Sequence, residues 1–119
     1  MFDHIGLLVK DLDRSVAFYE AALAPLGHGL CSRDAGSAGF GPPGAPALWL
    51  YAATAPGARV HVALRATERG AVTRFHAAAI ASGGTDHGAP GIRSEYAENY
   101  YAAFVLDPDG NNVEAVCYS

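Results

Sequence analysis

An internal repeat constrains this chain more than any other feature. Laid on itself at an offset of 57 residues (His61 against His4), the second half follows the first without a gap. His4 falls on His61, Leu7 on Leu64, Phe18 on Phe75, Ala21 on Ala78, Ala22 on Ala79, Ala24 on Ala81 and Gly27 on Gly84. Ile5 meets Val62 and Asp11 meets Glu68. Chance matches among alanines are cheap, but those of His, Phe and Gly are not. The repeat divides the 119 residues into two modules of a single domain, about 1–55 and about 58–119.

Local signals give each module the same order of elements. Residues 2–9 read as a strand, and Asp11 or Asp13 caps a helix that runs to about Ala24, with Val16, Tyr19 and Leu23 on one stripe. Pro25 and Gly27 end that helix. Strands are expected at 28–33, near 38–41 and at 47–52, and the segment from Thr54 to Arg59, with Pro56 and Gly57, reads as a linker. The pattern then restarts with a strand at 60–66. Thr67 is placed as an N-cap, and a helix follows from 68 to about 82 with Val72, Phe75 and Ala79 inward and Gly83-Gly84 at its end. A short irregular strand at 85–87 and a loop over 88–99 lead to a hairpin over 100–118. Asp107-Pro108-Asp109-Gly110 suits a type I turn there, since Pro108 pre-sets φ at its second position. The expected fold class is α+β, two βαβββ modules.

Composition excludes several functions. Residues are 50% hydrophobic and 17% charged, which is ample for a core. A net charge of −4 with scattered arginines offers no basic stripe, so no nucleic acid partner is expected. No apolar run reaches the length of about 18 residues that a membrane helix needs. Cys31 and Cys117 make no disulfide framework and read as free thiols of a cytosolic protein. Met1-Phe2-Asp3-His4 lacks the charged and apolar regions of a secretory signal, so the expected location is cytoplasmic.

Strand alternation then sorts the side chains. Ile5, Leu7 and Val9 share one face with His4, Gly6 and Leu8 opposite; in the copy, Val62 and Leu64 oppose His61, Ala63 and Arg65. In the last strand Val113, Ala115 and Cys117 take one face, and Asn112, Glu114 and Val116 the other. The aliphatic face should bury against the Ala-rich helix, with Cys117 a buried thiol beneath it. Glu114 then points with the histidines, where a carboxylate in an apolar strand has to be paired, exposed or ligating. Two imidazoles and a carboxylate on one concave surface suit a divalent first-row metal with positions left open for substrate. The plain alternative is that the histidines are ordinary surface or core residues.

At these residues the chain resembles the vicinal oxygen chelate superfamily, which includes glyoxalase I, extradiol dioxygenases, fosfomycin-resistance enzymes and bleomycin-binding proteins. The resemblance rests on Asp3-His4-Ile5-Gly6, the helix from Asp11 to Tyr19, His61-Val62-Ala63-Leu64 and the run from Asp107 to Glu114, and covers nearly the whole chain. It implies an open, barrel-like cleft built from the paired modules, usually in a homodimer, with a divalent Fe, Mn, Ni or Zn ion held by His4, His61 and Glu114. A fourth ligand, a Glu in glyoxalase I, would fall within Ala47–Ala52, most closely at Trp49, where this sequence has neither carboxylate nor imidazole. The full glyoxalase I set is thus incomplete. The remaining three look more like the triad of extradiol dioxygenases or fosfomycin-resistance enzymes.

Other candidates cluster in the polar, aromatic stretch from Asp86 to Tyr101. Arg93 suits a substrate carboxylate or phosphate, Tyr96 suits a substrate contact, and Tyr100 or Tyr101 could donate a hydrogen bond to a metal-bound oxygen. His87 fits an acid–base role or a plain surface position, and Trp49 fits the wall of an apolar pocket or the core. Gly36-Ser-Ala-Gly-Phe-Gly41 lacks the Lys-Ser/Thr and the helix of a phosphate loop. Two functions follow. One is a metal-dependent lyase, isomerase or dioxygenase acting on a small molecule chelated through vicinal oxygens; the other is a metal-free small-molecule binding or drug-resistance protein of the bleomycin-resistance type.

Overall fold

The structure, a computed structural model, describes residues 1–55 and 57–119. Pro56, read as part of the linker, lies outside the described residues. The first module comprises β1 (Ile5–Val9), α1 (Leu12–Leu23), β2 (Gly29–Arg33), β3 (Ser37–Gly41) and β4 (Leu48–Ala52). The second comprises β5 (His61–Arg65), α2 (Arg69–Ala81), β6 (Thr85–Ile92), β7 (Tyr101–Leu106) and β8 (Asn112–Cys117). Each module folds its own four-stranded sheet, in the orders β1-β4-β3-β2 and β5-β8-β7-β6, and the first strand of each runs parallel to the last. Among the described residues no helix is long and apolar enough to cross a membrane.

The repeat extends to register. Gly6 pairs with Trp49 in the first sheet, and Ala63, which the offset of 57 places on Gly6, pairs with Glu114 in the second. Trp49 therefore occupies in one sheet the position that Glu114 occupies in the other.

Local chemistry explains the ends of the elements. Asp11, in extended conformation, accepts from Arg14 N at 3.1 Å and caps α1; Gly27, at φ 86°, closes the turn after Pro25. Thr67 does not cap α2. Glu68 holds the cap position with no side-chain bond to the backbone, because its carboxylate is taken by Arg74 Nη2 at 2.9 Å. The second correction lies at β6, which runs on from the expected 85–87 to Ile92. It does so with breaks of register around Gly88, where a Cβ would stand 2.8 Å from the Phe104 ring. Gly88 and Pro90 read as loop formers, and a bulged edge strand tolerates both.

The core is one layer of side chains between sheets and helices. Leu7, Val9, Leu50, Phe40, Val105, Val113 and Ala115 meet Val16, Phe18, Tyr19, Leu23, Val72, Phe75 and Ala79, and Cys117 is buried among them. The helices also pack on each other. A Cβ on Gly84 would come within 2.7 Å of Phe18, so this glycine sets how closely the modules approach.

The Asp107 turn ties the modules together. Its closure by Gly110 N on Asp107 O at 3.0 Å matches the expected type. Buried Asp107 also accepts from Tyr19 OH of α1 at 2.5 Å, Asn111 Nδ2 at 2.9 Å, Asn111 N at 2.8 Å and Asp109 N at 2.9 Å. Asp109 in turn accepts from Lys10 N at 3.0 Å and Ser15 Oγ at 3.3 Å. Burial and the Asp107 charge push the Tyr19 phenol well above its ordinary pKa, so it remains a donor.

Candidate functional site around Glu114

Glu114 stands in the middle of β8, between β5 and β7, on the face turned away from α2. Its side chain is only 3% exposed although that face borders solvent. Phe104, its cross-strand partner on β7, covers one side. His61, at the head of β5, brings Nε2 to 3.0 Å from Glu114 Oε2 and stacks its ring on Phe104 with centroids 6.3 Å apart. From the other side Tyr100 donates its hydroxyl to Glu114 Oε1. A buried carboxylate without partners would be expensive, and here both oxygens are engaged.

The second nitrogen of His61 fixes the chemistry of the first. Nδ1 lies 3.1 Å from the backbone oxygen of Asn112. A carbonyl only accepts, so Nδ1 carries the proton. Nε2 then meets Glu114 as an imidazolium N–H, or with its lone pair directed at a cation that both groups hold. Asn112 adds a buried Oδ1 with no hydrogen-bond partner among the described residues. Burial pushes the Tyr100 phenol up, and its bond to Glu114 and the carboxylate charge push it further, so it stays protonated and donating.

Around this centre lie aromatic and cationic groups. Tyr100 packs edge-on against Tyr96 and Tyr118, with centroids 5.1 and 5.3 Å away. The Arg65 guanidinium sits 5.3 Å over the Tyr118 ring and that of Arg93 5.5 Å over Phe104, while Arg93 Nη2 also donates to Ala89 O at 2.6 Å.

The structure thus gathers His61, Glu114, Tyr100, Tyr96 and Arg93. It separates the other candidates. Tyr101 pairs with Cys117 and so takes the opposite face, where its hydroxyl is 3.4 Å from Thr73 Oγ1 and Arg69 lies over its ring. Adjacent strand residues cannot share a face, and Tyr100 holds the one with Glu114. His87 is exposed on β6, the edge strand of the sheet. His4 precedes β1 on the other sheet, exposed, with Nδ1 2.7 Å from Asp3 Oδ1. Among the described residues no three His, Cys, Asp or Glu side chains come together in a set able to hold a metal. Phe104, Tyr118 and Asn112 were not singled out from the sequence; their parity with Glu114 on paired strands was the available signal for Phe104 and Asn112.

The equivalent face of the first sheet is aromatic. The Trp49 and Tyr51 rings lie nearly parallel, 13° apart with centroids separated by 6.4 Å. They lie flat on glycines: a Cβ on Gly39 would meet the Trp49 ring at 2.9 Å, and one on Gly6 the Tyr51 ring at 2.7 Å.

The model of the Glyoxalase/Bleomycin resistance protein/Dioxygenase superfamily matches residues 1–115. The chain belongs to that superfamily. A solved glyoxalase/bleomycin resistance protein from Albidiferax ferrireducens T118 is 31% identical, with a TM-score of 0.84 over 98% of this chain and 97% of that one. A glyoxalase/bleomycin resistance protein/dioxygenase family enzyme from Burkholderia phytofirmans PsJN shares the fold at 19% identity, with a TM-score of 0.76 and 98% of each chain covered. The bleomycin resistance determinant encoded on the transposon Tn5 also shares the fold, at 22% identity and a TM-score of 0.63 over 93% of this chain and 92% of that one. Among curated proteins, none matches the chain. The two sheets with their helices are the glyoxalase-like pair of βαβββ modules, and the superfamily's names span enzymes and drug-resistance proteins alike.

Proposed function

We propose that this chain is a glyoxalase-like, metal-dependent enzyme of lyase, isomerase or dioxygenase type, acting on a small molecule that binds through two neighbouring oxygens. The 3.0 Å pair of His61 Nε2 and Glu114 Oε2, with Nδ1 committed to Asn112, carries the reading. An imidazole nitrogen freed of its proton by a carbonyl on the far side of the ring is the arrangement that metal-ligating histidines use. The donors fit a divalent first-row ion such as Fe, Mn, Ni or Zn: one imidazole, one carboxylate and the unpartnered Asn112 Oδ1 nearby. A metal held there would polarise the chelated oxygens as a Lewis acid or activate dioxygen.

His4 supplies the third ligand from a second copy of the chain. It holds on the first module the place that His61 holds on the second, and a two-fold homodimer that set the first sheet of one copy against the second sheet of the other would bring it to Glu114. Trp49 of that copy then walls the site with an apolar surface. Tyr100 fixes the Glu114 carboxylate, Tyr96 lines the approach, and Arg93 draws in an anionic group of the substrate.

The position of Trp49, in register where the second sheet has Glu114, favours a second reading. The two aromatic faces would clasp a planar compound without metal, in a small-molecule binding or drug-resistance protein of the bleomycin-resistance type. Elemental analysis separates the two. Stoichiometric metal, lost in His4→Ala, His61→Ala and Glu114→Ala, supports the enzyme. A wild-type protein that takes up no metal after reconstitution leaves the binding protein.

A further inference from the structure

A cavity of about 440 Å³ lies in the seam between the modules, beside the Glu114 pair. Ile5, Leu23, Phe40, Leu48, Val62 and Leu64 form its walls, and Phe2 stands 79% exposed at its rim. Two polar side chains reach it. One is His61, whose ring nitrogens are both engaged. The other is His28, whose Nδ1 is buried with no hydrogen-bond partner among the described residues. The nearby backbone is occupied too: Leu23 O accepts from His28 N at 3.1 Å, Ala47 O from Ile5 N at 2.9 Å and Phe40 O from Ala47 N at 2.8 Å.

We infer that this cavity is a second small-molecule site, for a compound with an apolar body and a single hydroxyl or carbonyl that meets His28 Nδ1. The volume falls within the range of ligand pockets, about 300–1,000 Å³. A wholly apolar guest would leave Nδ1 orphaned at a penalty. Either tautomer of His28 serves, accepting from a hydroxyl or donating to a carbonyl. β5 lines the cavity with Val62 and Leu64 and, from its other face, with His61 and Ala63, so the cavity adjoins the Glu114 pair. Its free hydrogen-bonding group, His28, belongs to the first module, and the inference stands whether or not metal binds.

The test titrates 4-methylphenol and its apolar counterpart toluene into the protein, followed by the methyl NMR signals of Leu23, Leu48, Val62 and Leu64. The expected result is one-to-one binding with shifts at those methyls, about tenfold tighter for 4-methylphenol than for toluene. His28→Leu should reduce that preference below about twofold, while His28→Gln, which keeps a hydrogen-bonding group, retains it. Ile5→Trp should fill the cavity and lose both ligands; its own spectrum reports whether it is folded. Silent methyls, shifts confined to the Tyr100 and Tyr118 rings, or equal affinity of the wild type for both probes would overturn the inference.

Discussion

If each metal site draws His4 from one chain and His61 with Glu114 from another, two broken proteins can repair each other. His4→Ala lesions the first module and Glu114→Ala the second, and each alone should lose its metal. Co-refolded in equal amounts, half of the dimers contain one chain of each kind. Every mixed dimer then has one site with both lesions and one with neither, so about a quarter of all sites are intact. The expected metal content of the mixture is therefore about a quarter of the wild-type value, against none for either variant refolded alone. A mixture of His61→Ala with Glu114→Ala is the control. Both residues lie on the second sheet, 3.0 Å apart, so every site inherits one lesion or the other and none recovers. Elemental analysis after gel filtration reads all three mixtures. Zero recovery in the first, with wild-type protein that binds metal, would refute the shared site.

Three further outcomes test the surroundings. Because burial and Glu114 raise the Tyr100 pKa, the folded chain keeps a proton that the unfolded chain begins to lose near pH ~10, so stability falls as pH rises beyond that point. Urea unfolding from pH ~9 to ~11 should show a shallower alkaline loss for Tyr100→Phe than for wild type, with Tyr19 contributing equally to both, and parallel curves would contradict the assignment. Tyr19→Phe removes one of the four hydrogen bonds on buried Asp107 and should lower stability by about 1–3 kcal/mol; a loss under about 0.5 kcal/mol would mean that the link between modules is not stabilising. Gly39→Ala places a methyl 2.9 Å from the Trp49 ring, and since Trp49 is the only tryptophan, its emission should shift at a stability cost of about 1–3 kcal/mol. Unchanged emission would show that the ring does not lie on that glycine.

Much of the fold was legible because its signals are local. The Asp11 cap, the Pro25 and Gly27 stops and the Asp107 turn each specify backbone within a few residues, and the repeat carries the same order of elements into the second half. The misreadings were local too: Thr67 reads as the cap of α2, but Glu68 takes that position and turns its carboxylate to Arg74, and Gly88 and Pro90 read as a loop because nothing nearby in the sequence announces the partner strand that accommodates their bulge.

The candidate site divides along the same line. Strand parity was enough to place Glu114 and His61 on one face and Cys117 on the other, since alternation is a property of the backbone alone. Sequence position could not choose between Tyr100 and Tyr101, because that choice depends on which residue of β7 faces Glu114 across the ladder. Nor could it foresee that Tyr19 would reach Asp107 from the other module. Pairing, register and the approach of one module to another are set by packing between distant segments. Those contacts decided that His61, Tyr100 and Phe104 surround one buried carboxylate while His4 stands on the opposite sheet.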